Sequence, residues 1–105
     1  MTTNINMQKA RREELRWLIL NALYAAQPIG TSETVIKNAI EPVILDITVL
    51  EIRKELDYLA ERDLVAVAHR DAPVWTAKIN RHGIDVVEYT VDCLPGIARP
   101  KQWWC

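Results

Sequence analysis

Phenylalanine is missing from the 105 residues, and cysteine and histidine occur only twice each. Cys93 and Cys105 are too few for a disulfide framework or for a thiolate metal site by themselves. His69 and His82 have no cysteine or acidic cluster beside them at metal-ligand spacing, so both are expected at the surface, with no metal and no cofactor. A glycine-rich phosphate loop is absent, and no serine or cysteine has an identifiable base partner. Those absences argue against an enzyme. No stretch approaches about 18 consecutive apolar residues, so no membrane span is expected. The start, MTTNINMQKARRE, lacks the apolar core of a signal peptide, which favours the cytoplasm. A basic excess is lacking too. The net charge of −1 is not that of a strong non-specific nucleic-acid binder, although local distribution matters more than the sum.

What is present suffices for one domain with a modest core. Half the residues are hydrophobic, and four Trp and three Tyr supply the large apolar surface that Phe would otherwise give. The clearest signal is Thr48 to Arg62, TVLEIRKELDYLAER. Thr48 is a good N-cap with Glu51 three residues on, a capping-box pattern. Val49, Ile52, Leu56, Leu59 and Ala60 recur at helical spacing. Leu64-Val65-Ala66-Val67-Ala68 then reads as strand, and Val74 to Ile79 as its return. Between them His69-Arg70-Asp71-Ala72-Pro73 forms a tip. Helix, polar corner and β-hairpin give the outline of a winged helix-turn-helix, with this helix in the recognition position.

The rest of the chain fits around that unit. Residues 1–7 are expected to lack order, residues 8–92 to form the winged-helix domain, and residues 93–105 to make an irregular tail packed on the domain or on a dimer partner. A first helix spans about Gln8 to Ala26, with core positions Leu15, Leu18, Ile19, Ala22, Leu23 and Ala26. Trp17, Leu20 and Tyr24 mark a second apolar face. Together with Trp103 and Trp104 of the tail, they are the residues expected at a homodimer or partner interface. Pro28 and Gly30 end this helix. Thr31 or Ser32 caps a second helix to about Ile40, with Val35, Ile36, Ala39 and Ile40 inward. Val43, Ile44, Leu45 and Ile47 read as a short buried linker. Asn80 caps a fourth helix, Arg81 to about Tyr89, in which Gly83 permits close approach to the hairpin. The fold class is therefore mainly α with a small β-hairpin wing, in the order α-α-α-β-β-α.

Two stretches carry a resemblance. Leu56, Leu59, Leu64 and Val65, then the hairpin, then Lys78-Ile79-Asn80-Arg81-His82-Gly83-Ile84-Asp85-Val86 resemble winged-helix proteins of the MarR and ArsR-like type. Asn80 stands where that superfamily usually has threonine, and Gly83 matches its glycine. Gly96-Ile97-Ala98-Arg99-Pro100 is similar to the C-terminal ends of small proteins of Mu-like phages and prophages. The resemblance implies a winged-helix phage protein and a DNA-binding regulator of transcription.

On that reading the DNA-contacting residues are Thr48, Arg53, Lys54 and Tyr58 on the third helix, His69 and Arg70 at the wing tip, and Lys78 and Arg81 behind it, with double-stranded DNA as partner. Against it stands the charge of the third helix. From Asp46 to Asp63 there are six acidic and three basic residues. The rival reading is a winged-helix module for protein interaction or assembly without DNA, its partner a phage or host protein. The basic cluster Lys9, Arg11, Arg12 and Arg16 is a further place where phosphate contact is weighed against plain solvated surface.

Overall fold

The computed structural model describes residues 5–102. Helix α1 runs Met7–Ala25, strand β1 Thr31–Ser32, helix α2 Glu33–Ile40, helix α3 Val49–Glu61, strands β2 Val65–Ala68 and β3 Thr76–Ile79, and helix α4 Arg81–Val87. Among the described residues, four helices and a three-stranded antiparallel sheet of order β1-β3-β2 make a mainly α domain with a β-hairpin. No helix among the described residues is long and apolar enough to cross a membrane.

Local chemistry sets the boundaries. The side chain of Asn6 accepts from the Lys9 amide at 2.9 Å and so opens α1 one residue earlier than the sequence suggests. Thr48 Oγ1 accepts from the Glu51 amide at 3.2 Å. That is only half of a capping box, because the Glu51 carboxylate turns to Arg11 instead. Ser32, not Thr31, caps α2. Asn80 takes the N-cap position of α4 but makes no capping bond, its Nδ2 donating to the Asp63 carbonyl at 3.3 Å.

The hairpin holds the register Val65↔Ile79 to Ala68↔Thr76. β1 adds a third strand through Thr31↔Ala77 and Ser32↔Thr76, and the Glu33 amide donates to the Trp75 carbonyl at 2.9 Å. Gly30 makes this approach possible. It adopts φ +87°, and a Cβ there would lie 2.3 Å from the Ala77 carbonyl oxygen. The returning strand starts at Thr76 rather than Val74, because Trp75 belongs to the loop and donates Nε1–H to the Arg70 carbonyl at 3.1 Å.

The core joins Leu15, Ile19, Leu20 and Leu23 of α1 to Ile36 and Ile40, Ile44 and Ile47, the α3 stripe Ile52, Leu56 and Leu59, and Val65, Ala77 and Ile79 of the sheet. Each of these leucine, isoleucine and valine side chains, once buried, contributes about 1.5–3 kcal/mol of transfer free energy. α4 closes the core with Val86, and Gly83 lets it approach. A Cβ at Gly83 would stand 2.2 Å from the Leu64 carbonyl oxygen and 2.7 Å from Ile79 Cγ1.

Several expected positions change. Val35 is 53% exposed, Ala39 is exposed, and of the supposed buried linker only Ile44 and Ile47 are buried. The α2–α3 connection turns Val43 and Leu45 outward because it is a series of turns, not a strand or helix with one fixed face. Residues 93–102 are irregular and pack on the domain: Arg62 donates to the Pro95 carbonyl, Arg16 to Gly96, Arg99 to Val86 and Val91, and the Ala98 amide to Glu13. Trp103 and Trp104, expected at an interface, lie outside the described residues, as do the first four of the segment expected to lack order.

Candidate functional site

The face made by α3 and the hairpin loop is dense with guanidinium groups, most of them engaged by carboxylates. Arg53 points from α3 toward the start of α2. Its Nε donates to Glu33 Oε1 at 2.6 Å, and its Nη2 to Glu33 Oε2 at 2.7 Å and to the Pro73 carbonyl at 3.0 Å. Glu33 is buried. The hydrogen bonds from Arg53 hold its carboxyl below the ordinary carboxylate range against the opposing effect of burial, and Glu33 in turn raises Arg53. Arg70, in the hairpin loop, pairs with Asp57 on α3. Both guanidiniums lie over the Trp75 ring, at 4.9 Å for Arg53 and 4.8 Å for Arg70. The loop is thus tied to α3 by the Arg70–Asp57 pair, by the Arg53 hydrogen bond to Pro73 and by the two guanidiniums over Trp75, while the Arg53–Glu33 pair ties α3 to α2.

The remaining expected DNA contacts divide into two groups. Tyr58 faces α1 and the tail, with Arg16 at 3.5 Å and Arg62 at 4.6 Å from its ring centre, and Gly96 against its hydroxyl. It is therefore not on the presented face, since α3 turns this position toward α1. Thr48 is exposed but serves as the cap of α3. His69 is at the loop as expected, with φ +61° and Nδ1 3.1 Å from Thr76 Oγ1. Lys54, Lys78 and Arg81 are exposed and hold no ion pair among the described residues.

The basic start of α1 follows the same rule. Arg11 bridges Glu51 and Asp46, which raises Arg11 and lowers both carboxyls. Arg16 donates to Glu55 at 2.7 Å, and the Glu55 side chain is only 7% exposed. Half of this cluster therefore fastens α1 to α3, while Lys9 and Arg12 remain exposed.

Sequence reasoning singled out neither Glu55 nor Glu33. For Glu55 a signal existed: it lies three residues after Ile52 and four before Leu59, which puts it beside the buried stripe. For Glu33, whose partner lies 20 residues away, none did.

The expected dimer face is occupied from within. Leu20 has no exposed surface and belongs to the core. Trp17 meets Tyr89 edge-on with ring centres 6.4 Å apart, and the Tyr24 hydroxyl donates to Glu88 at 2.5 Å. Exposed apolar side chains are spread over the surface, Ile29, Leu50 and Leu94 among them, and include several at the start of α1 and in the α2–α3 connection. Met7, Val43 and Leu45 are 71%, 59% and 81% exposed. They border an open groove of about 450 Å³ completed by Ala10, Arg11, Glu14, Ile44 and Asp46.

Among the described residues no group of three or more His, Cys, Asp or Glu is placed to hold a metal ion. Cys93 is half-buried, and burial pushes its thiol up, away from the reactive thiolate. Compared with protein-family models, curated proteins and solved structures, the chain has no significant match.

Proposed function

We propose that this domain is a winged helix-turn-helix module that acts through protein contacts rather than by reading DNA. The observation that carries the proposal is the bidentate grip of Arg53 on buried Glu33. DNA affinity comes largely from cations free to neutralise phosphates. Arg53 and Arg70, the two arginines best placed for that work on the recognition helix and wing, already face carboxylates. Moving Arg53 to a phosphate would strand a buried charge. Exposed Glu61, Asp63 and Asp71 add further negative charge near the same helix end and loop.

The winged-helix assignment is supported by a helix pair, α2 and α3, followed directly by a hairpin whose strands pack against α3 and α1. Exposed Met7, Val43 and Leu45 supply the apolar surface that a protein partner, from a phage or from its host, would cover. A second reading, duplex DNA as ligand of a transcription regulator, is favoured by Lys54, Lys78 and Arg81, which are exposed and have no carboxylate partner among the described residues. A mobility-shift assay at low salt separates the two. The protein-contact reading expects no retarded complex, and a salt-sensitive complex that disappears on Lys54→Ala favours DNA.

A further inference from the structure

We infer that the seam between α1 and α3 is a peptide-binding site. Here the chain's own Pro95 to Arg99 fills it, and a protein partner competes for it with an extended peptide of the pattern glycine, large apolar residue, any residue, arginine.

The site grips main chain. Arg62 Nη1, at the close of α3, donates to the Pro95 carbonyl at 2.8 Å, and Arg16 Nη1 of α1 donates to the next carbonyl, Gly96, also at 2.8 Å. The Ala98 amide donates to the Glu13 carbonyl of α1 at 3.1 Å. Bonds of this kind hold an extended peptide whatever chain it comes from. Three side-chain places then select it. Gly96 lies against the Tyr58 hydroxyl, which leaves no room for a Cβ. Ile97 packs on the core. Arg99 Nη1 donates to the Val86 and Val91 carbonyls at 3.0 and 2.9 Å, with its guanidinium over the Tyr89 ring.

Two observations mark the tail as a ligand of this site rather than a part of the core. First, no described residue after Val86 is buried, and the tail meets the core through half-buried Val91, Cys93 and Ile97. A segment with so few buried apolar groups opens at lower cost than the domain unfolds. Second, Ile97 underfills its place. A cavity of about 40 Å³ remains beside it, lined also by Leu64, Val86 and Leu94. Atoms facing a void lose dispersion contacts, so a peptide with a larger apolar side chain at this position gains what the tail leaves unused. The tail competes at the high effective concentration of a tethered ligand, which closes the site to all but a better-fitting peptide.

The inference rests on the protein-contact reading but fails separately from it. A chain that binds neither this peptide nor DNA leaves that reading intact, and tight duplex binding sinks that reading whatever the peptide does. A fluorescent peptide of residues 94–102, titrated with the full chain and followed by anisotropy, tests the site. The unmodified chain should bind weakly, because its own tail is in place. Gly96→Ala in the full chain lifts the tail and should tighten binding roughly tenfold or more, since apparent affinity follows the fraction of open sites. Ala98→Pro, at an exposed position, removes the amide bonded to Glu13 and should do the same if Gly96→Ala fails to fold. On either opened chain a peptide carrying Gly96→Ala should bind much more weakly, and one carrying Ile97→Phe severalfold more tightly. Opened chains that bind no better than the unmodified one overturn the inference. So does an Ala98 amide that exchanges no faster in the Gly96→Ala chain, a peptide indifferent to Gly96→Ala, or one that gains nothing from Ile97→Phe.

Discussion

Arg16 of α1 and Glu55 of α3 meet at 2.7 Å with 13% and 7% of their side chains exposed. Thirty-nine residues apart in sequence, they form a nearly buried ion pair at the seam of the two longest helices. The same guanidinium lies over Tyr58 and donates to the Gly96 carbonyl, so α1, α3 and the tail converge on it.

Removing one member of such a pair leaves the other charge buried without compensation. Arg16→Ala is expected to destabilise the domain by about 3 kcal/mol. Replacing both residues together, as Arg16→Met with Glu55→Leu, should recover most of that loss, because an apolar pair carries no desolvation penalty. Urea unfolding of the single and double variants measures both numbers.

Gly96 is the point at which the tail meets this seam. Its φ is +113°, and a Cβ would fall 2.1 Å from the Tyr58 hydroxyl oxygen. Gly96→Ala should therefore lift the tail at a cost of about 1–3 kcal/mol. Hydrogen exchange at the Ala98 amide, which donates to the Glu13 carbonyl, should speed up in the variant while the core amides of α3 keep their relative order.

Leu20 and Leu45 separate core from surface. Leu20→Ala should cost about 2–5 kcal/mol, as for other fully buried leucines. Leu45→Ala should stay within about 0.5 kcal/mol for the isolated domain. Thermal or urea unfolding at a concentration that keeps the chain monomeric gives the comparison.

Leu20 also shows where sequence pattern runs out. The spacing of Trp17, Leu20 and Tyr24 marks a second apolar face on α1. Periodicity cannot tell which element covers such a face, and here α4 and the residues after it do so through Tyr89 and Glu88. The α3 stripe and the hairpin were legible because caps and alternation are local signals. β1 was not, since two residues carry no alternation and pair only with a strand more than forty positions away. The pairing of Arg53 with Glu33 was hidden for the same reason: charge counting saw an acidic excess near α3, but not which carboxylate reaches which arginine. In contrast, Gly83 was read correctly as a point of close approach, because a glycine in the first turn of a helix costs propensity and implies a packing reason.

Carboxylates held by arginine link stability to pH. Glu33, bonded by Arg53, and Glu51 and Asp46, bonded by Arg11, all have folded-state values below their ordinary ones. A lowered carboxyl contributes stability that is complete above its unfolded value and is lost as pH falls toward the folded one. Unfolding free energy should be flat near neutrality and decline once pH drops below about 4.5, the ordinary value for glutamate. Glu33→Gln should reduce the slope of that decline, measured by urea unfolding at a series of pH values.

Arg53 bound to Glu33, and Arg70 to Asp57, are the core of the proposed function: a recognition-helix face whose arginines are engaged within the domain. Titration of a fluorescent mixed-sequence duplex with the full chain at low salt, followed by anisotropy, tests that most directly. Only weak association is predicted, no tighter than about 10⁻⁶ M, the tight end of the non-specific range at physiological salt, with a shallow salt slope from the few exposed cations. Binding in the nanomolar range, with a steep salt slope and a large loss on Arg53→Ala or Arg70→Ala, would contradict it.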